Sequence, residues 1–238
     1  MQGIIIMNII DIIIIVILCS SVIMGMHRGF INGVLSMAAL ILSLCISFSY
    51  SGNLNDKLHE NKTIVNTLEY YMDATDRIGD IDLSMMYLSD VDQNILSEII
   101  EKIDIPEVIQ NIFIGEANAI RKNNVKISEL LNRTIVDVTI AIISFLICFF
   151  ISYVLLLIIV HMIIYVFELP VLRHFDTLIG GLFGFARGIM YIFILSTLTP
   201  IVLTIAPIQQ IQDIYNNSQL ISFFNSNILM MILNKIFS

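Results

Sequence analysis

The chain has 238 residues, 57% of them hydrophobic and only 13% charged, with a mean hydropathy of +0.89; soluble domains carry roughly 25% charged residues, so the composition excludes an ordinary soluble protein and marks an integral membrane one. The formal net charge of −8 is concentrated in residues 51–133, which hold 15 of the 20 acidic but only 8 of the 12 basic residues. No basic cluster could follow a phosphate backbone, which argues against nucleic acid as a partner, and Cys19, Cys45 and Cys148 all sit in apolar runs with neither a disulfide framework nor a metal-ligand spacing.

In chain order, the first apolar run is Ile4 to Met24. Nothing basic precedes His27 and Leu18 stands before Cys19, so the run reads as a retained span and not a removable export signal; Met7 is a second candidate initiator. The short string "GMHRG" leads into a second run, Phe30 to Phe48, and residues 1–50 are predicted to form a transmembrane hairpin. Residues 51–133 read as an acidic helical insert. Within it, "SDVDQNILSEIIEKI" offers Ser89 or Asp90 as an N-cap before Ile95, Leu96, Ile99, Ile100 and Ile103, and Pro106 opens a further helix carrying Val108, Ile109, Ile112 and Phe113. These stripes either pack on one another and on the bundle or dock a second protein.

A second hairpin is predicted over residues 134–206. Its first leg, Thr134 to Phe167, has no Gly or Pro and at 1.5 Å per residue would be roughly 51 Å long against a hydrocarbon core of about 30 Å. Projection beyond the bilayer is expected, because "SELLNRT" just before it continues the helical pattern. The return leg is placed at Gly188 to Ala206. In the tail, residues 207–238, Ser218 could cap an amphipathic helix lying against the protein or the membrane interface. The fold class expected is an all-α integral membrane protein with four transmembrane helices as two hairpins and a helical extracytoplasmic insert. Arg28 and Arg173 in the two short turns place those turns in the cytoplasm and both termini outside.

Gly25, Gly29 and Gly33 form one bare stripe on a helix and Gly180, Gly184 and Gly188 another, sharing the element Gly-x-x-Arg-Gly at Gly25, Arg28, Gly29 and at Gly184, Arg187, Gly188. Small-residue stripes let helix backbones approach in a lipid environment; the alternative is a groove lined by exposed backbone. As a seam, the stripe should tolerate alanine at Gly184 and reject leucine. An arginine at mid-bilayer costs at least ~2.5 kcal/mol, whereas one at the edge snorkels. The last span is therefore started after Arg187, with Asp176, Arg28, Arg173 and Arg187 in an ion-paired cluster at the cytoplasmic face. Asp11 and Asp137 read as helix-end anchors. The rival is an intramembrane polar path through Asp137, Ser144 and Ser152 on one face of the long helix and His161 on another. Intramembrane-protease and phosphate-cradling signatures are missing, so no catalytic residue, metal or cofactor is expected.

The string "IDIIIIVILCSSVIMGMHRGFINGVLS", with Asp11, Arg28, Gly29 and Phe30, resembles the start of the colicin V production protein (CvpA) family. "FDTLIGGLFGFARG" is similar to that family's second signature through Asp176, Gly180, Gly184, Arg187 and Gly188, and "NSQLISFF", with Ser218 and Leu220, to its C-terminal segment. The resemblance covers about residues 7–50, 170–196 and 215–233 and leaves the acidic insert out. It implies a bacterial inner-membrane protein linked to production or export of a peptide toxin and to envelope upkeep, without covalent chemistry. The rival reading is a small transporter or channel subunit, with a path between the hairpins or within a homo-oligomer. The partners expected are the lipid bilayer, a second copy, or a secretion or envelope protein held through residues 51–133.

Overall fold

Long apolar runs without proline have one economical solution in lipid, the α-helix, because it satisfies every backbone N–H and C=O within its own segment. The computed structural model describes residues 9–71, 85–91, 96, 107–120, 124–167, 176–198 and 218. Among them lie five α-helices: α1 Ile9–Glu60, α2 Lys62–Tyr71, α3 Glu107–Ile120, α4 Ile127–Phe167 and α5 Asp176–Ser196. A 3₁₀ turn at Leu88–Asp90 and a single antiparallel bridge between Tyr87 and Lys126 complete the described structure.

The expected first and second spans both fall within α1, which is broken at one residue. Gly29 has φ 77° and ψ 177°, a combination open essentially to glycine alone, and it separates two helical segments, 9–28 and 30–60. The second segment does not stop near residue 50. It runs unbroken to Glu60, where Asn61 ends it and starts α2, its Oδ1 accepting the Thr63 N–H at 3.1 Å.

α4 starts at Ile127, so "SELLNRT" is helical, and its 41 residues are roughly 61 Å long, about twice the hydrocarbon thickness. α5 departs from the sequence reading. It begins at Asp176, so the glycine-rich stretch expected to precede the span is itself helical, and Thr177–Ser196 is long and apolar enough to cross a membrane; residues 199–206 of the expected return leg lie outside the described residues. The glycines at 180, 181, 184 and 188 do not loosen it, because each is packed against α1. With α1 and α4 through Tyr165, three helices among the described residues are long and apolar enough to span a bilayer.

The insert shares its core with the long helix. α3 opens directly after Pro106, as expected, and buries Ile109, Phe113 and Ala117 along one face. These pack in one cluster with Leu88, Val91, Ile127, Leu131 and Ile135, and the cluster continues down α4 to Phe145 and Phe149. The α3 stripe is thus covered from within the chain. Ser89 Oγ donates to Asp90 Oδ1 at 2.9 Å inside the 3₁₀ turn. Apart from Leu96, the predicted helix that follows lies outside the described residues, as does the tail apart from Ser218.

Candidate functional site

The two glycine stripes meet. A Cβ built on Gly184 would lie 2.5 Å from the carbonyl oxygen of Ser21, and one on Gly180 2.5 Å from that of Gly25; one on Gly25 would collide with the Gly180 carbonyl. Only the missing side chains allow this spacing. Ser21 Oγ also donates to the Gly184 carbonyl oxygen at 2.7 Å. Gly33 and Gly188 meet side chains instead, Phe183 in the first case and Leu18 and Ser21 in the second. The Phe30 and Phe183 rings lie 5.8 Å apart beside the Gly29 break.

Arg187 is not at the edge of a span. It sits midway along α5 and is 3% exposed. Its Nη1 donates to Ser36 Oγ at 3.3 Å, its guanidinium carbon lies 5.9 Å from the centre of the Tyr191 ring, and its Nε has no partner. The Tyr191 hydroxyl in turn meets that of Tyr153 at 2.6 Å. Of the ion-paired cluster expected around Arg187, the pairing with Asp176 does not form, while the Asp176 side chain itself lies outside the described residues. Asp176 is eleven residues earlier on the same continuous helix, roughly 16 Å along its axis, too far for the two side chains to bridge. Arg173 lies outside the described residues. Among those described, neither Arg28 nor Arg187 has a carboxylate within 4.0 Å.

Arg28 is exposed at the end of the first segment of α1, and its carbonyl oxygen accepts Asn32 Nδ2 at 2.8 Å. It shares a cavity of about 220 Å³ with Asn32, Ser36 and His161. The sequence reading had assigned Arg28 and His161 to separate groups. The fold brings them together.

At the far end of α1, Asp11 is buried and accepts the Ser218 hydroxyl at 2.6 Å, which ties two segments 207 residues apart. Asp137 lies 3.7 Å from both His59 Nε2 and Arg133 Nε. Ser144 and Ser152 are buried and donate to carbonyls of their own helix, those of Ile140 and Cys148, and Ser152 Oγ also lies 3.4 Å from the Ser43 carbonyl oxygen. Opposite them runs a line that the sequence reading missed: Ser36, Ser43, Ser47, Ser51 and Asn55, all buried in α1. Its signal was present in "SMAALILSLCISFSYSGNLN", where Ser43, Ser47, Ser51 and Asn55 recur every four positions and Ser36 lies seven before the first of them. Ser36, Ser43 and Ser47 bond back to carbonyls of α1, while Ser51 Oγ and Asn55 Oδ1 have no partner. Among the described residues, no three His, Cys, Asp or Glu side chains gather to hold a metal ion.

A family model described as "Colicin V production protein" matches residues 10–75 and 123–229. The match takes in the whole of α4 and α5, most of α1, and α2, and breaks off only across the middle of the insert, a wider cover than the motifs alone suggested. No curated protein and no solved structure matches the chain.

Proposed function

The chain belongs to the colicin V production protein family, and we propose that it is a bacterial inner-membrane component serving the production or export of a peptide toxin of the colicin V type, and upkeep of the envelope, by contact and not by covalent chemistry. The match to the family model across both membrane blocks carries this reading. The backbone contacts at Gly25, Gly180 and Gly184 support it, since they make the family-like motif glycines a packing seam within the bundle.

Contacts also support four crossings. Leu18 and Ser21 flank Gly188, while Ser36 meets Arg187 and Leu44 shares a cavity with Ile189, Met190 and Phe193. Both arms of α1 therefore lie along the same stretch of α5, one antiparallel and one parallel to it, so we read Gly29 as a reversal between two spans. Arg28 and His161 share a cavity, so that reversal and the C-terminal part of α4 lie at one end of the bundle, with Asp11, His59 and Asp137 at the other. The positive-inside rule, applied to Arg28 and to Arg173 in the sequence between α4 and α5, favours the cytoplasm for that end. A cysteine placed at Asp90 in a cysteine-free background should then react with an impermeant thiol reagent added outside, and one at His27 should not. The opposite pattern would invert the orientation.

The line Ser36, Ser43, Ser47, Ser51 and Asn55 opposite Ser152 favours a second reading, a polar route for a solute between helices. Against it, three of the serines spend their hydroxyls on their own helix, the usual state of a packed seam. Secretion distinguishes the two. In a toxin-producing host lacking its own family member, this chain should restore toxin to the medium. Unchanged release despite correct insertion would overturn the proposal, and chain-dependent solute flux in reconstituted vesicles would then favour transport.

A further inference from the structure

Where α4 nears its end beside Gly29, the cavity of about 220 Å³ is walled by Arg28, Asn32 and Ser36 of α1 and by Leu157 and His161 of α4, among others. Arg28 brings a cationic guanidinium to it. Arg28 is exposed and has no carboxylate within 4.0 Å among the described residues. Behind the Ser36 wall stands Arg187, 3% exposed, with Nη1 on Ser36 Oγ and Nε unpartnered. His161 Nδ1 donates to the Leu157 carbonyl oxygen at 2.8 Å, so in the neutral ring Nε2 is an acceptor and the donor at this cavity is Arg28. A buried guanidinium without a counter-charge is costly, and an anion beside it offsets that cost.

A second, independent feature says what kind of anion. A shallow, open apolar groove follows one exposed face of α4 between Val154 and Tyr165, past Ile158 and Met162, and shares Leu157 and His161 with the cationic cavity. A free ion has no use for such a groove, whereas a lipid has a charged head and an apolar chain to place side by side. We propose that cavity and groove form one binding site for an anionic phospholipid. Its phosphate is held by Arg28, with Arg187 adding charge from behind Ser36, and an acyl chain lies along α4. Arginine suits this role because its planar fork binds phosphate oxygens in pairs. The site requires only that the bundle spans a bilayer and is independent of any role in toxin production.

Native mass spectrometry of the purified full chain in neutral detergent tests this, with phosphatidylglycerol, phosphatidylcholine and inorganic phosphate as probes at equal concentration. One phosphatidylglycerol per chain should be retained, roughly tenfold more tightly than phosphatidylcholine. Arg28→Gln should weaken it roughly tenfold, the loss of one charge-assisted contact, with partial recovery in Arg28→Lys. Arg133→Gln, at the other end of the bundle, should leave it unchanged. Arg187→Gln should also weaken it; if that variant fails to fold, Arg28→Gln, at an exposed position, carries the test. Equal retention of the two lipids, or retention indifferent to Arg28→Gln, would overturn the site. Inorganic phosphate that binds alone and displaces the lipid, with the same dependence on Arg28, would make the ligand a free oxyanion and overturn the lipid assignment.

Discussion

Gly184→Ala is expected to lower the amount of protein in the membrane several-fold and to depress its thermal midpoint in detergent, although it adds a single methyl group. The new Cβ would stand 2.5 Å from the Ser21 carbonyl oxygen and 3.1 Å from the Cα atoms of Gly25 and Val22. All three are backbone atoms. A side chain in the way can rotate, but here two helices must separate along their length, which weakens neighbouring contacts and the Ser21 to Gly184 hydrogen bond together. Overpacking of this kind costs about 1–3 kcal/mol, a large share of the roughly 5–15 kcal/mol that holds a typical domain folded, and losses of that size change cellular abundance several-fold. The tolerance of alanine that the sequence suggests is therefore corrected, because the distance between the helices is closer than small-residue spacing alone implies. Other glycines supply the scale. Gly188→Ala meets side chains at 3.1 Å and backbone only at an ordinary 3.5 Å, and should be mild, while Gly52 and Gly115 face open space, where alanine should be neutral or stabilise the helix by up to about 1 kcal/mol. Equal midpoints for the alanine variants at 184 and 188 would show that the stripes do not pack as described.

The parts of the molecule legible in the sequence are those that depend on one segment at a time. The unbroken run from Thr134 to Phe167 and the helical string before it were enough to anticipate a helix too long for the bilayer, and Pro106 was enough to place the start of α3. Arg187 was misplaced for a physical reason. The insertion cost that pushes an arginine to the membrane edge assumes that it faces lipid, whereas here Ser36 and Tyr191 receive it inside the bundle. Ser36 comes from a helix 151 residues away in sequence, and no local pattern encodes that meeting. The serine line of α1 went unread because serine is unremarkable in an apolar run until the opposing helix is known to carry Ser152 at the same level. The cavity shared by Arg28 and His161 belongs to the same class of feature, created only when α1 and α4 pack.

Gly29 offers a test in which the sign of the effect, and not only its size, decides the architecture. If α1 ran straight through its 52 residues, Gly29→Ala would replace a poor helix former by the best one, raising stability by about 1 kcal/mol. At φ 77° and ψ 177° the same substitution puts a side chain where only glycine is comfortable, at a cost of about 1–3 kcal/mol. The surroundings leave no easy escape, since a Cβ on Gly180 would already sit 3.0 Å from the Gly29 carbonyl carbon, so the backbones of α1 and α5 are in contact here as well. Asparagine sharpens the comparison. It relieves strain in the left-handed helical region, where ψ is near +47°, but a ψ of 177° lies far from that region, so Gly29→Asn should be no better tolerated than Gly29→Ala. Both variants are expected to lower the thermal midpoint of the detergent-purified protein and to reduce the fraction that runs as a single species on size exclusion. A midpoint raised by Gly29→Ala would mean a straight α1, and with it the reversal, the paired arms along α5 and the end shared with the C-terminal part of α4 would all be lost. A fall in both variants leaves the chain turning back at Gly29, with Arg28 held at the mouth of the cationic cavity by the backbone it precedes.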